Sequence, residues 1–191
     1  MTGRKESEPV RVIAGQVGGR RLSTPTVEMR PTMDRVRGAI FSSLGDAVPG
    51  TRVLDLYAGS GAMGIEALSR GAASAVFVDL NPICTACVKS NLHALGLEGS
   101  VQTMDAMKFL ELYAVDGFDF IFADPPYGKG YEGPDLAQEL LQSPLPAAAL
   151  RPAGTFVLER GAGSYAPDSP YLSLLRSRRY GKSVVDFYTL P

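Results

Sequence analysis

Asp124, Pro125, Pro126 and Tyr127 follow one another in the chain and combine a carboxylate, two prolines and an aromatic ring. The prolines supply no backbone N–H and stiffen the turn, which leaves its carbonyl groups available as acceptors. The Asp124 carboxylate and the Pro125 carbonyl can both accept from one NH₂ group, and this pairing turns the nitrogen lone pair toward an electrophilic methyl. Tyr127 offers a ring on which an extruded base can stack, with a contribution of about 1–3 kcal/mol. These four residues are the predicted catalytic group.

A glycine-rich motif, Gly59-x-Gly61-x-x-Gly64, lies between an apolar run and a helical pattern. Glycines allow a sharp turn and a close approach of ligand to backbone, and the ligand would meet a helix N-terminus. The spacing alone does not separate NAD from S-adenosylmethionine (SAM). Asp55, four residues before the first glycine, would repel a diphosphate and suits a ligand that carries an ammonium and a sulfonium. The alternative is a purely structural turn. The predicted cofactor contacts of this motif are Asp55, Ala58, Gly59, Ser60 and Gly61.

Two further acids follow predicted strands. Asp79, with Leu80, ends the second strand, where a carboxylate can accept from both ribose hydroxyls of an adenosine ligand. Asp105, with Ala106, follows the third strand and can accept from an adenine amino group. Each acid also has a purely structural interpretation. Asp79 could be a surface or helix-capping residue, and Asp105 could be the N-cap of the next helix. All four residues are predicted cofactor contacts.

These motifs lie within a pattern of alternating strands and helices. From residue 51 the chain predicts strands at 52–57, 74–78, 100–103, 118–123 and 154–159, helices at 62–70, 82–95, 105–113 and 135–142, and a terminal hairpin over 171–190. Before residue 51, β-branched and glycine residues predict a β-hairpin over 10–24, followed by a helix at 34–44. Such alternation predicts an α/β fold, with a mostly parallel sheet covered by helices on both faces. In sheets of this kind ligands bind at the carboxyl ends of the strands, where the motifs fall.

Charge is unevenly distributed along the chain. Residues 1–37 hold eight Arg or Lys and four acids, whereas the remainder holds eleven basic and sixteen acidic residues, which together give the net charge of −1. A basic N-terminal arm on an acidic body suggests a polyanionic partner, although a solvated charged terminus is an equally good interpretation. We expect three regions: a flexible tail at 1–9, an extension at 10–45 and a catalytic domain at 46–191.

The sequence offers no signal peptide or membrane-spanning run, so a cytoplasmic location without membrane contact is expected. With two cysteines there is no disulfide framework. Cys84 and Cys87 have the spacing of half a zinc site, but no second pair completes it and His93 adds little, so no metal is expected.

The chain resembles the RsmD family of class I SAM-dependent methyltransferases that carry a D/N-P-P-Y/F motif. The resemblance rests on residues 11–15 (RVIAG), 19–22 (GRRL), 30–37 (RPTMDRVR), 54–73 and 118–127, and it extends over nearly the whole chain from Val10. Asp79 stands where the family more often has Glu, Gly38 stands where it often has Glu, and residues 164–170 have no match.

The resemblance implies a Rossmann-like fold with a seven-stranded sheet, and transfer of a methyl group from SAM to guanine N2 in 16S ribosomal RNA of the small subunit. The products would include S-adenosylhomocysteine, and no metal is implied. It also implies RNA contacts by the N-terminal arm, through Arg20, Arg21, Arg30, Thr32, Arg35 and Arg37. We expect a monomer that acts on a small-subunit particle. Alternatives are an amino-methyltransferase of DNA adenine or cytosine or of protein glutamine, and, more distantly, a non-catalytic or NAD-binding Rossmann domain.

Overall fold

The structure, a computed structural model, describes residues 10–26, 34–113, 117–127, 132–163 and 168–191. The predicted tail at 1–9 and the predicted RNA contacts Arg30 and Thr32 lie outside these ranges, as does part of the unmatched stretch at 164–170. No helix in the described ranges combines the length and the apolar character needed to cross a membrane.

A seven-stranded sheet forms the centre of the molecule, with the strand order β3-β2-β1-β4-β5-β7-β6. The first five strands run parallel to one another, and β7 runs antiparallel to both of its neighbours. The strands are β1 Arg52–Leu56, β2 Ser74–Asp79, β3 Ser100–Thr103, β4 Phe118–Ala123, β5 Leu150–Gly161, β6 Ser173–Tyr180 and β7 Ser183–Thr189. The predicted mostly parallel sheet is thereby confirmed.

Helices cover both faces of the sheet. The α-helices are α1 Asp34–Leu44, α2 Ala62–Ser69, α3 Pro82–Leu95, α4 Ala106–Tyr113, α5 Leu136–Gln142 and α6 Leu145–Ala149, and a short 3-10 helix spans Gly45–Ala47. Buried side chains of α1, α2 and α3 share one apolar core with one face of the sheet. Those of α4, α5 and α6 form a second core with the other face. Alternate strand residues enter opposite cores, as the pleat of a strand requires.

Local sequence explains where the helices next to the site begin and end. Asn81 caps α3 by accepting from the N–H of Ile83 at 2.9 Å, and Pro82 occupies the first helical position. The helix ends at Gly96, which has a φ of 66°. Gly64 allows α2 to pack closely against β2. A Cβ at this position would lie only 2.3 Å from the ring of Phe77.

The N-terminal segment differs from the predicted hairpin. Arg11 and Arg21 form an isolated antiparallel bridge, flanked by backbone hydrogen bonds, and no pair of regular strands develops within residues 10–26. The reason is that the first arm hydrogen-bonds to α2: the N–H groups of Ile13 and Ala14 donate to the Glu66 carboxylate. Gly15 lets this approach occur, since a Cβ there would lie 1.9 Å from the Ser69 carbonyl oxygen.

Two features near the end of the chain also differ from the predicted elements. Helix α6 was not predicted, and β5 begins at Leu150 rather than at residue 154. Around Pro152 and Ala153 the β4–β5 pairing shifts register, and Ala153 has a φ of 63°. A proline beside such an irregularity hides the strand from a pattern based on alternation.

Candidate active site

The carboxyl ends of β2, β1 and β4 bring the predicted motifs to one edge of the sheet. Leu56, the last residue of β1, is paired with Ala123, the last residue of β4. On its other side β1 pairs with β2, which ends at Asp79. The strand order reverses between β1 and β4, because the chain builds β2 and β3 on one side and then crosses to the other. The crevice at such a reversal is the usual ligand site of an open α/β sheet.

The glycine-rich loop, residues 57–61, turns sharply from β1 into α2. Three of its residues have positive φ: Tyr57 at 59°, Gly59 at 55° and Gly61 at 79°. The N–H of Gly61 donates to the Ala58 carbonyl at 2.7 Å, which closes the turn. Tyr57 adopts a conformation that is costly for a residue with a side chain, and strain of this kind is concentrated at functional sites. The loop therefore has the tightly turned backbone expected of a ligand cradle.

Asp55 lies beneath this loop. Its side chain is buried, and one carboxylate oxygen accepts from the N–H of Gly64 at 2.9 Å. Burial raises the pKa of Asp55 to about 8, with a smaller upward contribution from the charge of Asp79 and opposing effects of the Gly64 hydrogen bond and Arg37. Without a nearby cationic ligand the acid is thus mostly protonated at neutral pH. A protonated Asp55 would not repel a diphosphate, so the charge of Asp55 no longer favours SAM over NAD as strongly as the sequence suggested.

Asp79 connects the ends of β1 and β2. One carboxylate oxygen accepts from the N–H of Gly59 at 2.9 Å, and the other accepts from the N–H of Asn81 at 2.8 Å. These bonds fix the orientation of the carboxylate at the edge of the glycine-rich loop. The next residue, Leu80, is 69% exposed, although it is a large apolar side chain. In this arrangement Asp79 can accept from a sugar hydroxyl while the Leu80 side chain packs against a flat ring of the same ligand.

Asp105 caps helix α4, which was the structural alternative to its predicted contact with adenine. Its carboxylate accepts from the N–H of Lys108 at 3.0 Å, and its carbonyl oxygen accepts from the N–H of Phe109 at 2.9 Å. Ala106 is buried in the core on the α4 side of the sheet. A ligand can reach this position only through the exposed Asp105 side chain or the backbone.

The turn at residues 124–127 lies on the other side of the crevice. Asp124 lines a cavity of about 10 Å³ together with Ile40 of α1, Met63 of α2 and Glu159 of β5. That volume corresponds to roughly one water molecule. A larger ligand that contacts Asp124 therefore lies at the mouth of the cavity.

The Tyr127 hydroxyl is anchored to β5 and β7. It donates to a carboxylate oxygen of Glu159 at 3.2 Å and lies 2.9 Å from the hydroxyl oxygen of Ser183. Gly161 lets the ring approach the sheet, since a Cβ there would come within 2.9 Å of a ring carbon. Glu159 and Ser183 were not among the predicted site residues. Glu159 follows an apolar run as Asp124 does, so a search for acids after such runs could have found it, although it lacks the Asp-Pro-Pro-Tyr motif that identified Asp124.

The predicted RNA-contacting arginines separate into two groups. Arg20, Arg21 and Arg35 have exposed side chains, and Arg20 donates to the carbonyl of Ala94 at 3.1 Å. Arg37 is fully buried, donates to the carbonyl of Arg11 and pairs with Asp34 and Glu66. The prediction that Arg37 contacts RNA is therefore wrong for this conformation, because its guanidinium is enclosed within the protein.

Across the described ranges, no group of three or more His, Cys, Asp or Glu side chains is arranged to hold a metal ion. Cys84 is buried and Cys87 is partly buried, and neither forms a disulfide bond. Burial raises the pKa of both thiols, which disfavours the thiolate form that a metal or an electrophile requires.

Solved structures that share this architecture include the following two. A hypothetical protein of Thermus thermophilus is 31% identical, with a TM-score of 0.79 over 95% of this chain and 99% of that chain. The T. thermophilus 16S rRNA N2-G methyltransferase RsmC, in complex with AdoMet and guanosine, is 25% identical, with a TM-score of 0.70. That match covers 96% of this chain and 50% of RsmC. The fold is thus a methyltransferase-like α/β fold.

Sequence comparison gives the family. Ribosomal RNA small subunit methyltransferase D of Escherichia coli (strain K12) is 37% identical over 126 residues, which are 65% of this chain and 63% of that protein. The aligned region is thus slightly less than two thirds of the relative. The family model described as Conserved hypothetical protein 95 matches residues 10–189, nearly the full length of the chain. The chain belongs to this family, the RsmD family of methyltransferases.

Proposed function

We propose that this protein transfers a methyl group from SAM to the exocyclic N2 amine of a guanine in 16S rRNA of the small ribosomal subunit. The observation that carries the proposal is the position of Asp124. It follows β4 at the strand-order reversal, across the crevice from the glycine-rich loop that follows β1. The E. coli relative is a small-subunit rRNA methyltransferase by name, and RsmC is an N2-guanine enzyme by name, which supports the choice of substrate.

The donors and acceptors around the loop fit SAM. The Asp79 carboxylate accepts from two backbone N–H groups and also contacts the Cys84 thiol. Because a carboxylate offers about four lone-pair sites, it retains capacity for a ribose hydroxyl. Leu80 supplies an apolar surface for adenine, and Asp105 an acceptor for its amino group. The backbone of Ala58, Gly59, Ser60 and Gly61 lines the methionine end, with Asp55 below the loop and Ala106 contributing only through its backbone.

SAM supplies an electrophilic methyl on a sulfonium. The residues of this chain position the amine that attacks it. Asp124 and the Pro125 carbonyl accept from the two N–H bonds of guanine N2, so that its lone pair points along the S–CH₃ axis. As the N–C bond forms, the S–C bond breaks and its electron pair stays on sulfur, giving neutral S-adenosylhomocysteine. The nitrogen then loses one proton, for which the Asp124 carboxylate is the nearest acceptor. Positioning of this kind can lower the barrier by several kcal/mol.

The Tyr127 ring provides the platform for the extruded base. Its hydroxyl is held by Glu159 and Ser183, so the ring needs little ordering when a base stacks on it. Stacking would offset part of the few kcal/mol needed to flip a base. Pro126, exposed between Asp124 and Tyr127, keeps the turn stiff.

The extension at 10–45 would meet RNA, and residues 46–191 would form the catalytic domain. Exposed Arg20, Arg21 and Arg35 are suited to phosphate contacts, and Arg30 and Thr32 are proposed to join them. We propose a monomer that acts in the cytoplasm on a small-subunit particle and needs no metal.

The test uses tritiated SAM and small subunits from a strain that lacks this activity. The RNA is digested to nucleosides, and the label is traced by chromatography. We expect the label in N2-methylguanosine of 16S rRNA. Label in another amino-methylated base would retain the chemistry and refute the guanine assignment. Label in DNA or in protein glutamine, when these are offered instead, would replace the RNA substrate altogether.

A further inference from the structure

Glu159, in the last part of β5, lies beside Asp124, which directly follows the neighbouring strand β4. Strands β4 and β5 are parallel, and Phe122 is paired with Val157 and Ala123 with Leu158. The next position along both strands brings Asp124 level with Glu159, on one face of the sheet, because side chains alternate along a strand. Neighbouring strands are about 4.8 Å apart. Both side chains line the same small cavity.

Glu159 is held in place for an acceptor role. Glu159 is only 7% exposed and follows the apolar run of β5, two residues before that strand ends. One of its oxygens accepts from the Tyr127 hydroxyl at 3.2 Å, and the ring of that tyrosine is in turn fixed by Ser183. A carboxylate offers about four lone-pair sites, so Glu159 can accept from a ligand in addition to its partners within the protein.

The bases that carry an amine differ in the atom next to it. In guanine the N2 amine has N1–H, a donor, on one side and N3, an acceptor, on the other. In adenine and cytosine the amine is flanked by a ring nitrogen that is an acceptor. A single acidic residue such as Asp124 therefore suits any of the three amines. A second carboxylate beside Asp124 can accept from N1–H of guanine. With adenine or cytosine it would face the ring nitrogen beside the amine, and two acceptors would repel each other.

We infer that Glu159 is a specificity-determining residue that accepts a hydrogen bond from guanine N1–H while Asp124 and Pro125 hold N2. This inference rests on the proposed function. In this arrangement Glu159 in β5 recognises the base, and Asp124 and Pro125 after β4 position its amine. A hydrogen bond to a charged acceptor contributes roughly 1.5–3 kcal/mol, so Glu159 should supply about a ten- to hundred-fold preference for guanine.

The test compares guanosine with 2-aminopurine riboside, which keeps the 2-amine but has an acceptor at N1. Affinities for the full-length protein saturated with S-adenosylhomocysteine are measured by calorimetry or ligand NMR. Wild type should bind guanosine about ten- to a hundred-fold more tightly. Glu159→Gln should reduce that ratio at least tenfold, because the amide N–H can donate to N1 of 2-aminopurine while its oxygen still accepts from Tyr127.

Ser183→Ala is the matched control. It removes the other partner of the Tyr127 hydroxyl and leaves the Glu159 carboxyl intact, so the ratio should stay near the wild-type value. An unchanged ratio in Glu159→Gln, a wild-type ratio near one, or an equal loss in Ser183→Ala would each overturn the inference. Labelling of N2-methylguanosine by wild type is recorded in parallel. If that labelling fails, the proposed function is refuted; if it succeeds and the ratio is unchanged, only the role of Glu159 is refuted.

Discussion

The guanidinium of Arg37 lies 3.8 Å from the carboxylate of Glu66, and both side chains are fully buried. Arg37 lies in α1 and Glu66 in α2, so the pair joins the helix that precedes β1 to the helix that follows it. Glu66 also accepts from the N–H groups of Ile13 and Ala14 and pairs with Arg70. One buried carboxylate thereby links residues 13–14, α1 and α2.

Replacing Glu66 with Ala should destabilise the protein by about 3–5 kcal/mol, because Arg37 is left buried with less compensation and two backbone donors lose their acceptor. Urea unfolding measures the loss. Hydrogen exchange should show that the amides of Ile13 and Ala14 lose protection. The control is Arg70→Gln, which removes a partly exposed partner of Glu66 and should cost about 1 kcal/mol or less. Equal costs for the two variants would contradict this account.

The elements and motifs that depend on local pattern could be predicted. Strand β4 is an unbroken apolar run apart from Asp119, and α3 carries its own capping residues. Three acids lie at or just after the ends of three strands. Their meeting at one edge follows from the geometry of parallel strands, and the register confirms it at Leu56 and Ala123.

Features that depend on distant partners could not be predicted. Arg37 resembles one more cation of a basic arm, and its burial is decided by Glu66, which is 29 positions further along the chain. Strand composition predicted a hairpin over residues 10–24, and residues 10–12 do hydrogen-bond to residues 20–22. The pairing stops there, since Ile13 and Ala14 donate to a helix side chain. Glu159 follows an apolar run as Asp124 does, yet its alignment with Asp124 requires the β4–β5 register.

Asp79→Ala should lower SAM affinity by about ten- to a hundred-fold. The variant loses the acceptor proposed for the ribose hydroxyls, and it also releases the Gly59 N–H that shapes the loop. Calorimetric titration with SAM provides the measurement. Asp46→Asn, an exposed acid in the 3-10 helix after α1, is the control and should bind SAM as wild type does. Wild-type affinity in Asp79→Ala would mean that the ligand does not contact the end of β2.

Asp124→Ala should abolish detectable methyl transfer to small subunits while SAM affinity stays within a few fold of wild type. The reason is that Asp124 is proposed to hold the target amine and has no proposed contact with SAM. Transfer of tritium and calorimetric titration separate the two effects. Loss of SAM binding in this variant would show that Asp124 belongs to a different step.

The exposed arginines of the extension should determine the salt dependence of RNA binding. For single-stranded RNA, each neutralised phosphate contributes roughly −0.7 to the slope of log K against log salt. Arg35→Gln, on the exposed face of α1, should reduce the slope by about that amount, and Arg20→Gln combined with Arg21→Gln by about twice as much. Lys108→Gln, on a helix that covers the opposite face of the sheet, is the control. A slope that falls only in Lys108→Gln would place the RNA on the other face.

Asp55 should make stability fall as pH rises. Its pKa is about 8 in the folded protein and 3.8 in the unfolded chain, so between these values the folded state retains a proton that the unfolded state has released. The contribution of Asp55 to the free energy of unfolding is therefore greatest below about pH 4. Between about pH 4 and pH 8 this contribution declines by at most about 1.4 kcal/mol per pH unit.

Asp55→Asn should remove this contribution, because the amide keeps an oxygen for the Gly64 N–H and does not ionise. Urea unfolding of wild type and variant at pH 5, 6.5 and 8 gives the difference in unfolding free energy. Relative to the variant, wild type should lose stability at each step, by up to about 4 kcal/mol in total across the three units. Parallel pH profiles would show that Asp55 ionises normally in the folded protein, and the charge argument for a cationic ligand at the glycine-rich loop would then regain its force.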